Sequence, residues 1–301
     1  MTVAPVATPA TYLKLLLTML FWGGTWIAGR VLTHHAPPLA ATAWRFLIAA
    51  AVLTPFALAP GLRRPAGADW LWALALGFFG IFLYGICFMW GLQKIEAGRA
   101  ALVVALNPVT VALVDLLFFG ARFTRLKCLG SALALCGCLL VIGNGDPLAL
   151  LQGGIGFGET LIIGCVLCWT AYTFIGRQAS RRLPPVVVTW SGCLCGGLFL
   201  LLAALGEGKL GTSPDWPLAA WVAILFLAIL GTAAGYLWYG DAVQKVGATR
   251  AAAFINLVPV FAVLLGALIL GERLPPAVLL GGGLVIAGVY LLNRPARKLP
   301  S

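Results

Sequence analysis

Apolar stretches, separated by short polar or proline-containing segments, run along nearly the whole chain. Most have about the 20 residues that an α-helix needs to cross a hydrocarbon core about 30 Å thick. With turn residues and charges taken as boundaries, the pattern predicts ten membrane helices. Their approximate bounds are 11–33, 38–60, 70–91, 97–119, 125–143, 157–178, 186–205, 217–242, 249–270 and 276–293.

This helical pattern occurs twice. Trp22 to Arg30 reads WGGTWIAGR and returns 147 residues later as WTAYTFIGR. A second segment starts at Arg99 and reads RAALVVALNPVTVALVDLLFFGARF. A similar segment, RAAAFINLVPVFAVLLGALILGERL, starts 151 residues later. The chain therefore predicts two five-helix repeats, residues 11–143 and 157–293. The first apolar stretch has features of a signal peptide, but we expect it to be retained because its copy lies inside the fold.

Lysine and arginine lie mostly on one side of the predicted helices. With the N-terminus inside the cell, 14 of the 20 basic residues fall in inner segments, five at outer ends and Arg45 within the membrane. Because inner loops carry the basic excess, we expect a multi-pass plasma-membrane protein, in a bacterium the inner membrane, with both termini cytoplasmic. Each repeat has an odd number of helices, so the second enters from the opposite side. The predicted fold class is an all-α membrane protein of two inverted five-helix repeats.

Composition excludes a water-soluble globule. Hydrophobic residues make up 61% and charged residues 10% of the 301 residues, and the mean hydropathy is +1.01. The net charge of +11 does not indicate nucleic acid, because the basic clusters set topology; the expected partners are the lipid bilayer and a small-molecule substrate. The eight cysteines lie in or beside apolar stretches and the only histidines are His34 and His35, so neither metal nor cofactor is expected. No oligomeric state follows, and a monomer is compatible with the sequence.

Each repeat carries a proline nine residues after its arginine, Pro108 and Pro259. Nine residues of helix span roughly 14 Å, which places both prolines near mid-membrane. A proline frees a backbone carbonyl, which protein or a water-filled cavity must then satisfy. The prolines are either kinks that shape packing or hinges that line a substrate cavity, and the neighbouring amides of Asn107 and Asn256 favour the cavity.

Arg45 is the one basic residue well inside a predicted helix, about 10 Å below the outer surface. An arginine there costs about 3 kcal/mol on insertion scales unless it is paired or hydrated. Either it reaches outward to cap neighbouring carbonyls, or it donates two hydrogen bonds to an anionic group of a substrate such as a carboxylate.

Aromatic residues are dense, and many belong to the interfacial belts. An aromatic cavity suits apolar, aromatic or cationic organic solutes. No carboxylate is predicted near mid-membrane, so a deep proton relay is unsupported. Asp115 is the fallback proton site, or else pairs at the surface with Arg122, Arg125 or Lys127. The aromatic candidates for the cavity wall are Trp22, Trp26, Tyr84, Trp169, Tyr172, Trp190 and Tyr236.

Several short motifs fall in register with this duplication: Trp22-Gly23, Arg45-Phe46, the Leu-x-Pro-Val segments 106–109 and 257–260, and Gly-Glu-Arg-Leu at 271–274. With them the chain resembles the EamA-type members of the drug/metabolite transporter superfamily over residues 11–293. The resemblance implies a central cavity formed mainly by helices other than five and ten. It also implies export of amino acids, metabolites or drugs, with relatives that move nucleotide sugars or lipid-linked sugars.

The first repeat departs from the pattern because it has Ala121 where the second has Glu272. If Glu272 braces the loop between helices nine and ten, the equivalent contact is absent from the first half.

The resulting hypothesis is a secondary transporter that exports a small organic solute, an amino acid or related metabolite, by alternating access. Arg45 would orient the anionic group, the aromatic candidates would supply the wall, and Asn107 and Asn256 would hold polar atoms. The alternatives are efflux of multiple drugs or cationic compounds, which needs an accessible carboxylate, and flipping of a lipid-linked sugar, which needs a lateral opening. An intramembrane enzyme is not expected, because the chain has no Ser/His or mid-membrane Asp pair.

Overall fold

The computed structural model of the chain describes residues 8–120, 124–146, 155–247, 251 and 254–292. All regular secondary structure in these residues is helical. We number the helices in chain order. Their bounds are α1 Pro9–Thr33, α2 Pro38–Ala57, α3 Asp69–Leu92, α4 Ala97–Phe119, α5 Arg125–Ile142, α6 Phe157–Ala179, α7 Pro185–Gly206, α8 Leu218–Val246, α9 Leu257–Ile269 and α10 Pro276–Leu292.

Helices α1 to α8 are each long and apolar enough to cross a membrane, and their bounds lie within four residues of the predicted ones. Helices α9 and α10 are shorter apolar helices within the described residues. The predicted ninth helix also includes residues 248–250 and 252–253, which lie outside the described part of the chain.

Helices α3 and α8 each widen into a π-helical stretch near the middle. The stretches are Gly77–Leu83 and Phe226–Ala234, which occupy matching places in the two repeats. Gly77 lies against α7, where a Cβ atom would come within 2.6 Å of the backbone nitrogen of Gly196. Wide turns of this kind inside α-helices are frequent at functional sites.

Helical structure is interrupted just before Pro108 in α4 and just before α9, which contains Pro259. Helix α4 consists of Ala97–Val104 and Asn107–Phe119, with a turn between them. A proline ring clashes with the carbonyl of the residue four positions earlier, and Val104 is four positions before Pro108. A turn at Asn256 likewise precedes α9 and Pro259.

Helices α5 and α10 pack against each other backbone to backbone. A Cβ atom on Gly130 would lie 2.6 Å from the carbonyl oxygen of Gly288, and one on Gly137 would lie 2.5 Å from that of Gly281. The helices therefore run antiparallel. The 151-residue offset relates Gly130 to Gly281 and Gly137 to Gly288, so the contacts are reciprocal, as a two-fold relation requires. Small residues permit such close approach where no hydrophobic driving force acts between helices.

Close packing at these glycines predicts that Gly288→Ala destabilises the protein. The added Cβ atom would lie 2.5 Å from backbone atoms of Gly130 and Ala134, which cannot turn away as a side chain can. We expect a loss of about 1–3 kcal/mol, measured as a lower thermal unfolding midpoint in detergent.

Gly283→Ala on the same helix is the matched control, because nothing lies within 4 Å of its Cβ position. Alanine favours helix, so this variant should be neutral or slightly stabilised. Equal midpoints for the two variants would contradict the packing described for α5 and α10.

Candidate functional site

The guanidinium of Arg45 lies where α2, α3 and α8 converge. Its central carbon is 4.6 Å from the ring centre of Phe46 and 5.7 Å from that of Phe88. The hydroxyls of Tyr84 on α3 and Tyr236 on α8 are within electrostatic reach. The buried Nε atom of Arg45 has no hydrogen-bond acceptor among the described residues. A guanidinium that faces rings and hydroxyls without an acceptor is suited to receive one from a ligand.

Aromatic rings extend from this guanidinium along α3 and α6. The ring centres of Tyr84 and Trp169 are 6.0 Å apart, and those of Trp169 and Tyr172 are 5.4 Å apart. Phe88 stacks on Tyr84 at 6.0 Å and touches Trp26 of α1 at 5.0 Å. Phe88 was not among the predicted wall residues, although its spacing of four from Tyr84 places both rings on one helix face.

A second tryptophan–tyrosine pair joins α1 to α8. The rings of Trp22 and Tyr236 are 5.7 Å apart, and the Trp22 Nε1 donates to the carbonyl oxygen of Gly231 in the π-helical stretch at 3.0 Å. Gly235 leaves room for this ring, since a Cβ atom there would be 2.6 Å from the Trp22 Nε1.

The tryptophans of the two pairs are related by the duplication, whereas the 151-residue offset carries Tyr84 onto Gly235, the neighbour of Tyr236. The 147-residue offset carries Trp22 onto Trp169, and Tyr84 and Tyr236 each closely follow a π-helical stretch. Each pair joins a tryptophan of one repeat to a tyrosine of the other. Arg45 has no such counterpart, because the offset carries it onto Gly192.

The amides beside the prolines are placed differently from each other. The Oδ1 atom of Asn107 is buried without a hydrogen-bond partner among the described residues. Its backbone oxygen accepts from the hydroxyl of Thr110, which also lies 2.7 Å from that of Thr170 on α6. Asn256 precedes α9 and is partly buried, and its side chain does not cap that helix.

Trp190 lies apart from this group. Its Nε1 donates to the hydroxyl of Thr54 at 3.0 Å, and its ring centre is 6.4 Å from that of Trp70 in the first turn of α3. Trp190 is five residues from the start of α7, in the second turn of that helix. We therefore separate it from the residues around Arg45.

The carboxylates lie at or near helix ends or between helices, and all nine are in the described residues. Asp115 pairs with Arg177 of α6 at 2.8 Å, not with Arg125 or Lys127, while Arg122 is outside the described residues. Arg99 pairs with Glu159 at 2.8 Å and donates to the carbonyls of Val141 and Ile142 at the end of α5. None of these acidic groups reaches the rings around Arg45.

Glu272 caps the N-terminus of α4. Its carboxylate accepts from the backbone N–H groups of Ala97 at 2.7 Å and Gly98 at 3.0 Å. A helix N-terminus has unpaired N–H groups and favours negative charge. Glu272 thus joins the second repeat to the first instead of bracing its own loop, and Ala121 at the matching position has no carboxylate to do the same.

Two surface cavities lie away from the Arg45 group. One of about 590 Å³ lies at the start of α3, beside Gln178, Arg181 and Arg182 at the end of α6. The other, of about 400 Å³, is an apolar groove between α2 and α8. Its lining residues are Val52, Phe56, Ile229, Ala233, Ala234, Leu237 and Trp238.

Comparison with known proteins gives one family and a set of transporters. The family model described as the EamA-like transporter family matches residues 10–143 and 156–294. A protein of Bacillus subtilis (strain 168), "Uncharacterized transporter YyaM", is 28% identical over 92% of this chain and 92% of its own length. A "Probable terminal-alkyne amino-acid exporter" of Streptantibioticus cattleyicolor is 29% identical over 93% of this chain and 92% of its own.

A third relative, a "Probable amino-acid metabolite efflux pump" of Salmonella typhimurium, is 27% identical over 92% of both chains. Among solved structures, one crystal structure matches with a TM-score of 0.65 and 23% identity, covering 95% of this chain and 99% of that chain. At that identity the likeness concerns the fold alone.

The unpaired state of Arg45 predicts that Arg45→Met leaves the protein at least as stable as before. The Nε atom of Arg45 forms no hydrogen bond among the described residues for the substitution to break, and a methionine is cheaper to place in the membrane. The check is the thermal unfolding midpoint without added solute.

Arg99→Met is the comparison variant, since it would leave Glu159 and two backbone carbonyls without their donor. Breaking one side of such a buried pair costs about 3–5 kcal/mol, so we expect a much lower midpoint. A comparable fall for Arg45→Met would mean that Arg45 holds the fold together.

Proposed function

The chain belongs to the EamA-like transporter family, and on that premise we propose that it is a secondary transporter. It exports small organic solutes, amino acids or related metabolites, by alternating access. Two relatives named for amino-acid or amino-acid metabolite export support the substrate class. The observation that carries the proposal is the guanidinium of Arg45, which faces aromatic rings and whose buried Nε atom has no acceptor in the described residues.

In this proposal Arg45 binds the anionic group of the solute. Trp22, Trp26, Tyr84, Trp169, Tyr172 and Tyr236 form the wall, and Trp190 contributes only if the site extends toward the start of α3. Asn107 and Asn256 bind polar atoms beside Pro108 and Pro259, where the interrupted helices act as hinges. The unpaired Oδ1 atom of Asn107 supports this role, because a buried amide without a partner is unfavourable.

We further propose ten membrane helices in two inverted five-helix repeats. The reciprocal glycine contacts between α5 and α10 support this arrangement. These helices are equivalent in the two repeats and run antiparallel, which fits a two-fold axis that lies in the membrane plane. Rocking of the repeats would then expose Arg45 to one side of the membrane and afterwards to the other.

The proposed location is the plasma membrane, with both termini cytoplasmic. The positive-inside bias of the basic residues supports this orientation. Because no carboxylate reaches the aromatic cluster, we propose that solute exchange does not require a proton gradient, with Asp115 as the fallback proton site.

A second function, movement of a lipid-linked solute, is favoured by the apolar groove between α2 and α8. The groove lies at the surface between these helices and its lining is apolar, so a lipid chain would fit there while a polar head moves inside. Efflux of cations has less support, since a deep carboxylate would be needed to bind them.

The transport proposal predicts that Arg45→Lys lowers solute exchange by about 10-fold or more. Lysine keeps the charge but cannot present two parallel donors, and one charge-assisted hydrogen bond contributes about 1.5–3 kcal/mol. Counterflow of labelled amino acids in proteoliposomes, with and without a pH gradient, measures the effect.

Arg273→Lys, an exposed position in the segment after α9, serves as the control and should exchange at the normal rate. Exchange that persists without a pH gradient would remove proton coupling from the mechanism. If neither the native chain nor this control exchanged any amino acid, the amino-acid assignment would be wrong.

A further inference from the structure

Charge balance around Arg45 restricts which solutes the site can hold. The guanidinium of Arg45 carries one full positive charge. The side chains described around it, those of Phe46, Phe88, Tyr84 and Tyr236, are neutral. A bound monocarboxylate makes the site neutral overall. A zwitterionic amino acid leaves it with a net positive charge, because its ammonium adds to the guanidinium. An uncompensated charge away from water is strongly unfavourable.

An ammonium group would also lack an anionic partner in this cluster. The groups that act electrostatically on Arg45 are Tyr84, Tyr236 and Cys193, and no carboxylate of the described residues is among them. The Oδ1 atom of Asn107 is a buried acceptor without a partner among the described residues. It is neutral, so it can accept a hydrogen bond from an ammonium group without balancing its charge. The faces of Phe46 and Phe88 already lie against the guanidinium, so they are poorly placed to hold a second cation.

The rest of the cluster suits an apolar body. The two tryptophan–tyrosine pairs and the rings of Trp26 and Phe88 present flat apolar faces around one cationic group. Ring pairs of this kind accept a further ring in stacked or edge-on contact. Because Gly192 stands where the duplication would put a second arginine, the site also lacks the charge to balance a dicarboxylate.

We propose, building on the transport function proposed above, that the preferred substrates are aromatic monocarboxylates without an ammonium group. Arg45 binds the carboxylate and the two tryptophan–tyrosine pairs enclose the ring. Amino acids with the same ring bind more weakly, because their ammonium must be desolvated without an anionic partner. The corresponding amines are excluded by repulsion from Arg45.

Three solutes share one ring and the same carbon spacing but differ in their charged groups: 3-phenylpropionate has a carboxylate, phenylalanine has a carboxylate and an ammonium, and phenethylamine has an ammonium. Comparing them shows the effect of each charged group on binding. At pH 8 a carboxylic acid, whose pKa is about 4–5, is ionised, which limits leakage of the neutral form. The first measurement is the shift of the thermal unfolding midpoint with each solute in detergent. The second is exchange of labelled solute in proteoliposomes, with protein-free liposomes as background.

We expect 3-phenylpropionate to bind at least 10-fold more tightly than phenylalanine, to exchange above background, and to lose both effects in Arg45→Met. Phenethylamine should give neither effect. Phenylalanine binding as tightly as 3-phenylpropionate, or more tightly, would overturn the inference while leaving amino-acid transport intact. Binding of phenethylamine above the other two would overturn it in favour of cation efflux.

If none of the three solutes shifts the midpoint or exchanges, the aromatic monocarboxylate assignment is wrong. The broader transport proposal then depends on the amino-acid counterflow described above, so the two failures are distinguishable. Loss of binding in Arg45→Met with retention in Arg273→Met would assign the effect to the buried guanidinium and not to positive charge in general.

Discussion

Charged and polar groups in a bilayer have no water to bind, and this constraint explains how charged side chains of the described residues find partners. Arg99 is satisfied by Glu159 and by carbonyls at the end of α5. Arg30 donates to the carbonyl of Leu92, and Glu272 accepts from the first N–H groups of α4. In each case a helix end supplies the partner. Arg45 is far from any helix end, and its Nε remains without an acceptor among the described residues.

Glycine contacts determine which helices are left to surround that arginine. Helices α5 and α10 pack closely against each other through Gly130, Gly137, Gly281 and Gly288. Glycines in α3 and α8 have a different effect, because they make room for side chains: Gly80 for the ring of Tyr172 and Gly235 for that of Trp22. The same residue type thus brings backbones together at the periphery and admits rings near Arg45.

Much of this arrangement could be predicted from local sequence. Apolar length and breakers located helices α1 to α8 to within four residues, and insertion cost singled out Arg45. Contacts between helices were harder, because periodicity does not say which neighbour a side chain meets. Asp115 therefore received nearby basic partners instead of Arg177, and Glu272 was assigned to its own loop instead of the N-terminus of α4. The π-helical stretches were not predicted, because the apolar pattern that locates a membrane helix does not show where its turns widen.

The duplication separates what can be symmetric from what cannot. Features that would serve movement in the proposed mechanism occur in both repeats: interrupted helices before Pro108 and Pro259, π-helical stretches in α3 and α8, and a tryptophan of each repeat that contacts a tyrosine of the other. The group that provides charge occurs once, since Arg45 is matched by Gly192. Two guanidinium groups near one axis would repel each other in a medium of low dielectric constant. A single arginine avoids that repulsion, and in the proposed mechanism it would give a solute one orientation while the paired elements around it exchange conformations.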